Sequence, residues 1–295
     1  MTSNKFMGAL FALALVFPAM VNLDNAHGAE NATAAAPAVR FAVISQAEPA
    51  RIYQEWQPFI DYLAAKTGYR IELVVPRGFD KIKEAIETKD VDIFYINSLV
   101  YFRLQQEGKI APIAQVQNLN GDSTSRAVIV VRSDSGIDTV KQLQGRKIAY
   151  VSPMASGAYL APRAQLYKEG IKGEQQAQEL FTNNLTTSLH KVLLGDAAAA
   201  TMCGVSFKLM SEKINTGELK IIGRSDDFAE DILAGRADLD AKLRDRIAET
   251  VLTMPDNAQG KQALARMRDL RVQQFVPYDK KSEQITRKLL LDARL

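Results

Sequence analysis

Cysteine and histidine are nearly absent from this chain. Cys203 is the one cysteine among 295 residues, so no internal disulfide can form. No cysteine follows the apolar N-terminal run, which leaves no lipid attachment site there. The two histidines are His27 and His190, too few for a histidine-based metal centre or catalytic cluster. The chain has no G-x-G-x-x-G, no G-x-x-x-x-G-K-[ST], no metal-ligand spacing and no convincing paired acids, so neither cofactor nor catalysis is expected. Charge is balanced, with 37 Lys+Arg against 34 Asp+Glu; a net +3 carries no argument for nucleic acid. No apolar run reaches the roughly 20 residues that a membrane-spanning helix needs. The longest, FMGALFALALVFPAMV over residues 6–21, is interrupted by Pro18.

What is there begins with an export signal. Lys5 supplies a positive n-region, the 6–21 run an h-region, and Ala26-His27-Gly28 a small-x-small cleavage site, with Ala32-Thr33-Ala34 as the fallback. A cleavable signal over residues 1–29 and a linker over 30–38 are expected, and with them a periplasmic protein that is not a lipoprotein. About 260 residues then remain, enough for one large or two medium domains.

Beyond the linker, strand and helix patterns alternate. Strands are expected over 39–45, 70–75, 91–96 and 110–117. The helices between them are 52–67, with Ile52, Trp56, Phe59, Ile60 and Leu63 at helical spacing, then 79–88 and 98–106. Gly68 and Gly108 close two of these helices. A second run holds strands at 128–131, 147–151, 197–202 and 219–222 and helices at 160–169, 187–194 and 207–213. The last third reads as mostly helical, with Leu239, Leu243, Ile247 and Val251 every four residues. Alternation of this kind predicts an α/β protein whose sheets are mostly parallel and flanked by helices.

Ligands of open α/β sheets bind beyond the carboxyl ends of strands, and those ends are polar here. They carry Ser45-Gln46, Tyr95-Ile96-Asn97-Ser98, Ser152 to Gly157, Asn183 to Thr187 and Met202-Cys203-Gly204. A strand, a turn with serines and glycine, then a helix start presents unpaired backbone N–H groups, a pocket for an oxyanion or another acceptor-rich molecule. Candidate ligand-binding residues are Tyr53, Tyr95, Asn97, Ser98, Arg126, Ser152, Ser156, Gly157, Asn184, Thr186 and Thr187. Some have a plainer alternative: Asn97, Ser98 and Ser156 as helix caps, Tyr95 as core, Arg126 as a solvated charge.

The chain resembles the periplasmic substrate-binding proteins of phosphate/phosphite/phosphonate ABC transporters. The residues that carry this are Pro58-Phe59-Ile60-Asp61-Tyr62-Leu63 with Thr67-Gly68, Asp90-Val91-Asp92-Ile93-Phe94, and Tyr101. Asp134-Ser135-Gly136-Ile137 follows, with Leu143-Gln144-Gly145-Arg146-Lys147-Ile148-Ala149, then Ser156-Gly157, Pro162, Gly170-Ile171 and Arg236-Ala237-Asp238-Leu239. The resemblance implies a two-lobed clamshell: residues 39–125 and 223–295 with the C-terminal helices in one lobe, 126–222 in the other, and hinges near 126–132 and 219–224. It implies a monomer that captures a phosphonate- or phosphate-like oxyanion, or a divergent relative of one, and delivers it to an inner-membrane ABC permease. A sensor subunit partnering a membrane kinase is the alternative, and an enzyme on the same scaffold the remotest reading. The chain departs from the family pattern at Met154-Ala155, where phosphonate members carry hydroxyls. It departs again near Leu185, where they carry a histidine, near Ala198, where they carry an acid, and at Asn97-Ser98, where they carry Gly-Pro.

Overall fold

β1 (Val39–Val43) has one polar residue, the half-buried Arg40, and buries Val39, Phe41, Ala42 and Val43, as befits a strand covered by helices on each side. The computed structural model describes residues 38–43, 49–76, 79–172 and 177–295. The expected signal, the linker up to residue 37 and the Ser45-Gln46 strand end lie outside the described residues. Among those described, no helix is long and apolar enough to cross a membrane.

The first lobe opens with β1, α1 (Pro49–Thr67), β2 (Ile71–Val74), α2 (Phe79–Glu87), β3 (Ile93–Ile96), α3 (Ser98–Gln106) and β4 (Ile110–Asn118). The helical stripe read from the sequence is what α1 buries. Ile52, Trp56, Phe59, Ile60 and Leu63 are all at most 1% exposed, and the Trp56 and Phe59 rings each lie within 6 Å of Phe41. Burying such side chains contributes roughly 1.5–3 kcal/mol apiece. Gly68 follows at φ +77, a left-handed closure that suits glycine.

The chain then enters a second lobe: β5 (Thr124–Arg132), β6 (Lys147–Tyr150), α4 (Ala161–Lys168), β7 (Gln178–Phe181), α5 (Leu185–Leu193), β8 (Ala199–Cys203), α6 (Gly204–Ser211) and β9 (Leu219–Ala229). It returns through β10 (Ile232–Arg236), α7 (Ala241–Leu252), α8 (Ala258–Arg266) and β11 (Val272–Val276) to the first lobe. α9 (Lys281–Ala293) crosses once more. Its Leu289 and Ala293 pack among Ala161, Ala164 and Phe228 of the second lobe, while Arg287 lies 5.3 Å over the Phe102 ring of the first.

The sheets run β11-β4-β10-β3-β1-β2 and β7-β6-β8-β5-β9. Both are mixed rather than mostly parallel. β1–β2, β1–β3, β6–β7 and β6–β8 are parallel, and the pairs made by β10, β11, β5 and β9 are antiparallel. The antiparallel pairs arise where the chain changes lobe and re-enters a sheet from its other end. The segments 126–132 and 219–224, expected as hinges, lie within β5 and β9. The crossings themselves fall at 119–123, 230–231 and 277–280, side by side. Glu230 N–H donates to Ser123 O (3.0 Å), and the buried Gln115 side chain accepts from Asp279 N–H (3.3 Å) and Ser282 Oγ (3.0 Å).

Candidate functional site

A cavity of about 590 Å³ lies between the lobes. Its floor is made where two helix starts meet. Asn97 caps α3, its Oδ1 accepting from Leu99 and Val100 N–H at 3.1 and 3.2 Å. Opposite, Ser156 opens a π-turn over Ser156–Leu160, closed by Leu160 N–H to Ala155 O at 3.0 Å. The two starts are bonded to each other. Ser156 Oγ lies 3.0 Å from both Ser98 Oγ and Asn97 Oδ1 and accepts from Leu99 N–H at 2.9 Å. Ser98 Oγ donates to Ala229 O at 2.8 Å, and Asn97 Nδ2 to Met154 O at 3.1 Å. Ser98 spends its own proton on Ala229 O and the single Ser156 proton goes to Asn97 Oδ1, so the Ser156 hydroxyl ties lobe to lobe.

The cavity brings together Tyr95, Asn97, Ser152, Ser156, Gly157, Asn184 and Thr186 from the sequence-based candidates. Gly157 is also a packing position, since a Cβ there would stand 2.4 Å from Phe228 Cζ. Asn184 caps α5 by accepting from Thr187 N–H at 3.1 Å. The other candidates lie apart. Thr187 is in the first turn of α5, its side chain exposed. Ser98 is buried beneath the floor. Tyr53 is 45% exposed, with its hydroxyl 3.5 Å from Leu73 O. Arg126 lines a second cavity beside Gly204, Lys208 and Arg224 and is paired to Asp227 at 2.7 Å. Neither it nor any other β5 residue lines the interlobe cavity.

The sequence reading missed the charges. Arg51 and Glu55 of α1, Lys213 just past α6, Asp231 at a crossing, and Asp269 and Arg271 before β11 all line the cavity. Arg51 pairs with Glu55 at 2.6 Å, Lys213 with Asp269 at 2.5 Å and Arg271 with Asp231 at 3.0 Å. Burial opposes the Arg271 charge, but Asp231 and Glu230 outweigh it and hold its pKa well above the usual value. The nearest sequence signal was Glu230-Asp231, two acids immediately before an apolar stretch.

Tyr95 sits at the carboxyl end of β3, 6% exposed, its ring 4.5 Å from Trp56. Its hydroxyl is buried and makes no hydrogen bond of ordinary geometry among the described residues, although the Asp231 carboxylate stands close enough to act on it as an acceptor. Burial, with the charge of Asp231 adding to it, pushes its pKa well above the ordinary phenol range. A buried donor left without a well-formed bond on a cavity wall is costly unless a ligand or water meets it. Cys203, also on the wall, is a free thiol. No group of three or more potential metal ligands occurs among the described residues.

Two mixed α/β sheet bodies with a ligand-sized cavity between them define a two-lobed periplasmic binding fold. The chain belongs to the family described as "ABC transporter, phosphonate, periplasmic substrate-binding protein", whose profile matches residues 41–282. It is 23% identical over 226 residues to the phosphate-import protein PhnD of Mycolicibacterium smegmatis, covering 71% of this chain and 69% of that protein. It is 20% identical over 269 residues to the phosphonates-binding periplasmic protein of Escherichia coli, covering 88% and 79%. PhnD1 from Prochlorococcus marinus, solved in complex with methylphosphonate, shares the fold at TM-score 0.76 with 14% identity, covering 87% of this chain and 98% of that one.

Proposed function

We propose that this chain is a periplasmic solute-binding protein that closes on a small ligand between its lobes and hands it to an ABC permease without altering it. The ligand is a phosphonate- or phosphate-like oxyanion or a divergent relative. The observation that carries this is the Tyr95 hydroxyl, buried without a hydrogen bond of ordinary geometry on the wall of a 590 Å³ cavity that both lobes line. Family membership and the relatives' named roles support it. Tyr95, Asn97, Ser152, Asn184 and Thr186 are the candidates for ligand contact. Lobe boundaries drawn by sheet membership are 39–118 with 232–276, and 124–229; α9, whose Leu289 and Ala293 pack among Ala161, Ala164 and Phe228, goes with the second lobe, whereas the sequence reading returns residues 223–295 to the first. The pivot lies at the side-by-side crossings. Export with cleavage after Gly28, no lipid and a monomeric state complete the reading.

The test is a thermal-shift screen of the purified exported protein against phosphate, phosphite, alkyl- and aminoalkyl-phosphonates, sulfonates and neutral amino-acid- or nucleoside-like compounds. A ligand at about 100 times its dissociation constant stabilises by about 2.7 kcal/mol. One class is expected to raise the melting temperature and to shrink the radius of gyration in solution scattering, because only a ligand that touches both lobes favours the closed form. Stabilisation without contraction would put the ligand outside the cleft. Ligand-dependent capture by a sensor kinase instead of a permease would replace transport with sensing.

A further inference from the structure

The departure at Met154-Ala155 takes hydroxyls from the floor of the cleft, yet donors remain on its wall. Ser152 Oγ accepts from Met154 N–H at 3.2 Å and keeps its own proton free. Asn184 Oδ1 accepts from Thr187 N–H at 3.1 Å, which leaves both Nδ2 protons. The Thr186 hydroxyl and the N–H groups of Leu185 and Thr186, in the first turn of α5, have no hydrogen-bond partner among the described residues. Ser152, Asn184 and Thr186 all line the cavity. Hydroxyl, amide and helix-start N–H donors are what an oxyanion accepts from, and its charge strengthens each bond.

Beside these donors the wall turns apolar. Leu185 stands between Asn184 and Thr186 in the chain and lines the same cavity. Leu185, Met210 and Ile214 pack, each only partly buried, on one apolar cluster of the second lobe. Ile214 N–H donates to Met210 O at 2.9 Å, so these two side chains stand one helical turn apart on the cleft wall. Trp56 lines the cavity from the first lobe. Apolar surface left in the cleft is covered favourably only by a ligand that brings apolar surface of its own. A bare oxyanion brings none. The cavity, at about 590 Å³, is also of the size that encloses drug-sized molecules.

Resting on the solute-binding reading, we infer that the cleft selects an oxyanion that carries an apolar organic substituent of several carbons. Ser152, Asn184 and Thr186 meet the oxyanion, and Leu185, Met210 and Ile214 lie along the substituent and set the preference for its length. The first turn of α5 joins the two halves of the site, because its donors and its apolar side chain are consecutive residues.

The experiment is isothermal titration of the purified exported protein with phosphate, methylphosphonate, butylphosphonate and phenylphosphonate. Each methylene buried adds about fourfold in affinity. Butylphosphonate is therefore expected to bind at least about tenfold more tightly than methylphosphonate, with phosphate the weakest of the four. Met210→Ser, or Ile214→Ser if the first does not fold, is expected to cut the butyl-over-methyl ratio by at least about threefold. Thr186→Val is expected to weaken methyl- and butylphosphonate alike, by about tenfold, the scale of one hydrogen bond to a charged group. Phosphate or methylphosphonate bound as tightly as butylphosphonate overturns the inference and leaves the solute-binding reading standing. A ratio that both serine variants, folded, leave unchanged overturns it too, since the substituent then lies elsewhere. Binding of none of the four overturns the inference and, in addition, withdraws the phosphorus oxyanion from the proposed function.

Discussion

Among the described residues the lobes meet through charge at the crossings and at the mouth, and burial separates the two. At the crossings, Glu230 is 1% exposed. It accepts from Asn118 Nδ2 at 2.9 Å and from Ser125 Oγ, with Arg271 Nη1 at 3.7 Å. Asn118 ends β4, Ser125 lies in β5 and Glu230 stands between β9 and β10, so one carboxylate gathers three strands that change lobe. The turn beside it needs Gly121 at φ +85, its N–H donating to Asn118 O at 2.9 Å. At the mouth, Glu212-Lys213 of the second lobe face Arg268-Asp269 of the first. Arg268 Nη2 reaches both Glu212 oxygens, at 2.9 and 3.1 Å, and Lys213 meets Asp269 at 2.5 Å. These four side chains are 37–53% exposed. The chemistry is the same, and the consequences are opposite. A buried carboxylate stripped of its partners, or partners stripped of it, costs several kcal/mol, whereas an exposed pair contributes about 0–1 kcal/mol. A clamshell needs both kinds: a pivot that does not come apart, and a closure weak enough for a ligand to decide.

Glu230→Ala makes the sharpest break. It leaves Asn118, Ser125 and Arg271 facing an empty carboxylate site in the interior, and is expected to lower unfolding stability by about 3–5 kcal/mol in urea denaturation. Glu230→Gln, which keeps an acceptor, should lose less. A loss under about 1 kcal/mol for Glu230→Ala would erase the distinction between pivot and mouth.

The floor is intermediate and sharpens the comparison. Ser156 is buried like the pivot but spans the cleft like the mouth. Ser156→Ala removes the donor to Asn97 Oδ1 and one acceptor from Leu99 N–H, which keeps Asn97 Oδ1 at 3.1 Å. Because that N–H retains a partner, the expected cost is about 1 kcal/mol, at the low end for a buried hydrogen bond. It should fall mainly on the closed state, seen as a larger ligand-free radius of gyration. Unchanged stability and an unchanged radius would mean that the tie contributes nothing to closure.

These contacts also mark how far the sequence could be read. Periodic segments were legible because burial follows spacing; α1 and the core of β5 have the residues their patterns predict. β10, Ile-Leu-Ala-Gly-Arg, was missed because a short strand with glycine carries little period of its own. Gly235 is small because a Cβ there would meet Leu239 Cδ2 at 2.7 Å, a fact of packing. β9 was read only to Ile222, since its polar continuation through Ser225-Asp226-Asp227 pairs along the edge of the sheet, where one face stays wet. Strand ends located much of the cavity wall, from Tyr95 to Thr186. They could not reveal that Ser156 would meet a helix start 57 residues upstream, nor that Arg271 would meet an acid 40 residues before it. Such pairings live in tertiary contact, and they decide which donors remain for a ligand.

The smallest effect belongs to the mouth. Glu212→Ala, Arg268→Ala and their combination form a double-mutant cycle, and the coupling expected is about 0.2–1 kcal/mol. None of the three should change unfolding stability by more than about 0.5 kcal/mol, the range of ordinary surface substitutions. The coupling should appear instead in ligand affinity, as a loss of up to about fivefold, because the pair exists only when the lobes are closed. At 1 M salt, where the screening length falls to about 3 Å, that loss should vanish. The swapped pair Glu212→Arg with Arg268→Glu should restore affinity while each swap alone weakens it. Coupling that persisted at high salt would mean the mouth behaves like the pivot, and closure would then be a fixed property of the fold instead of an equilibrium that the ligand tips.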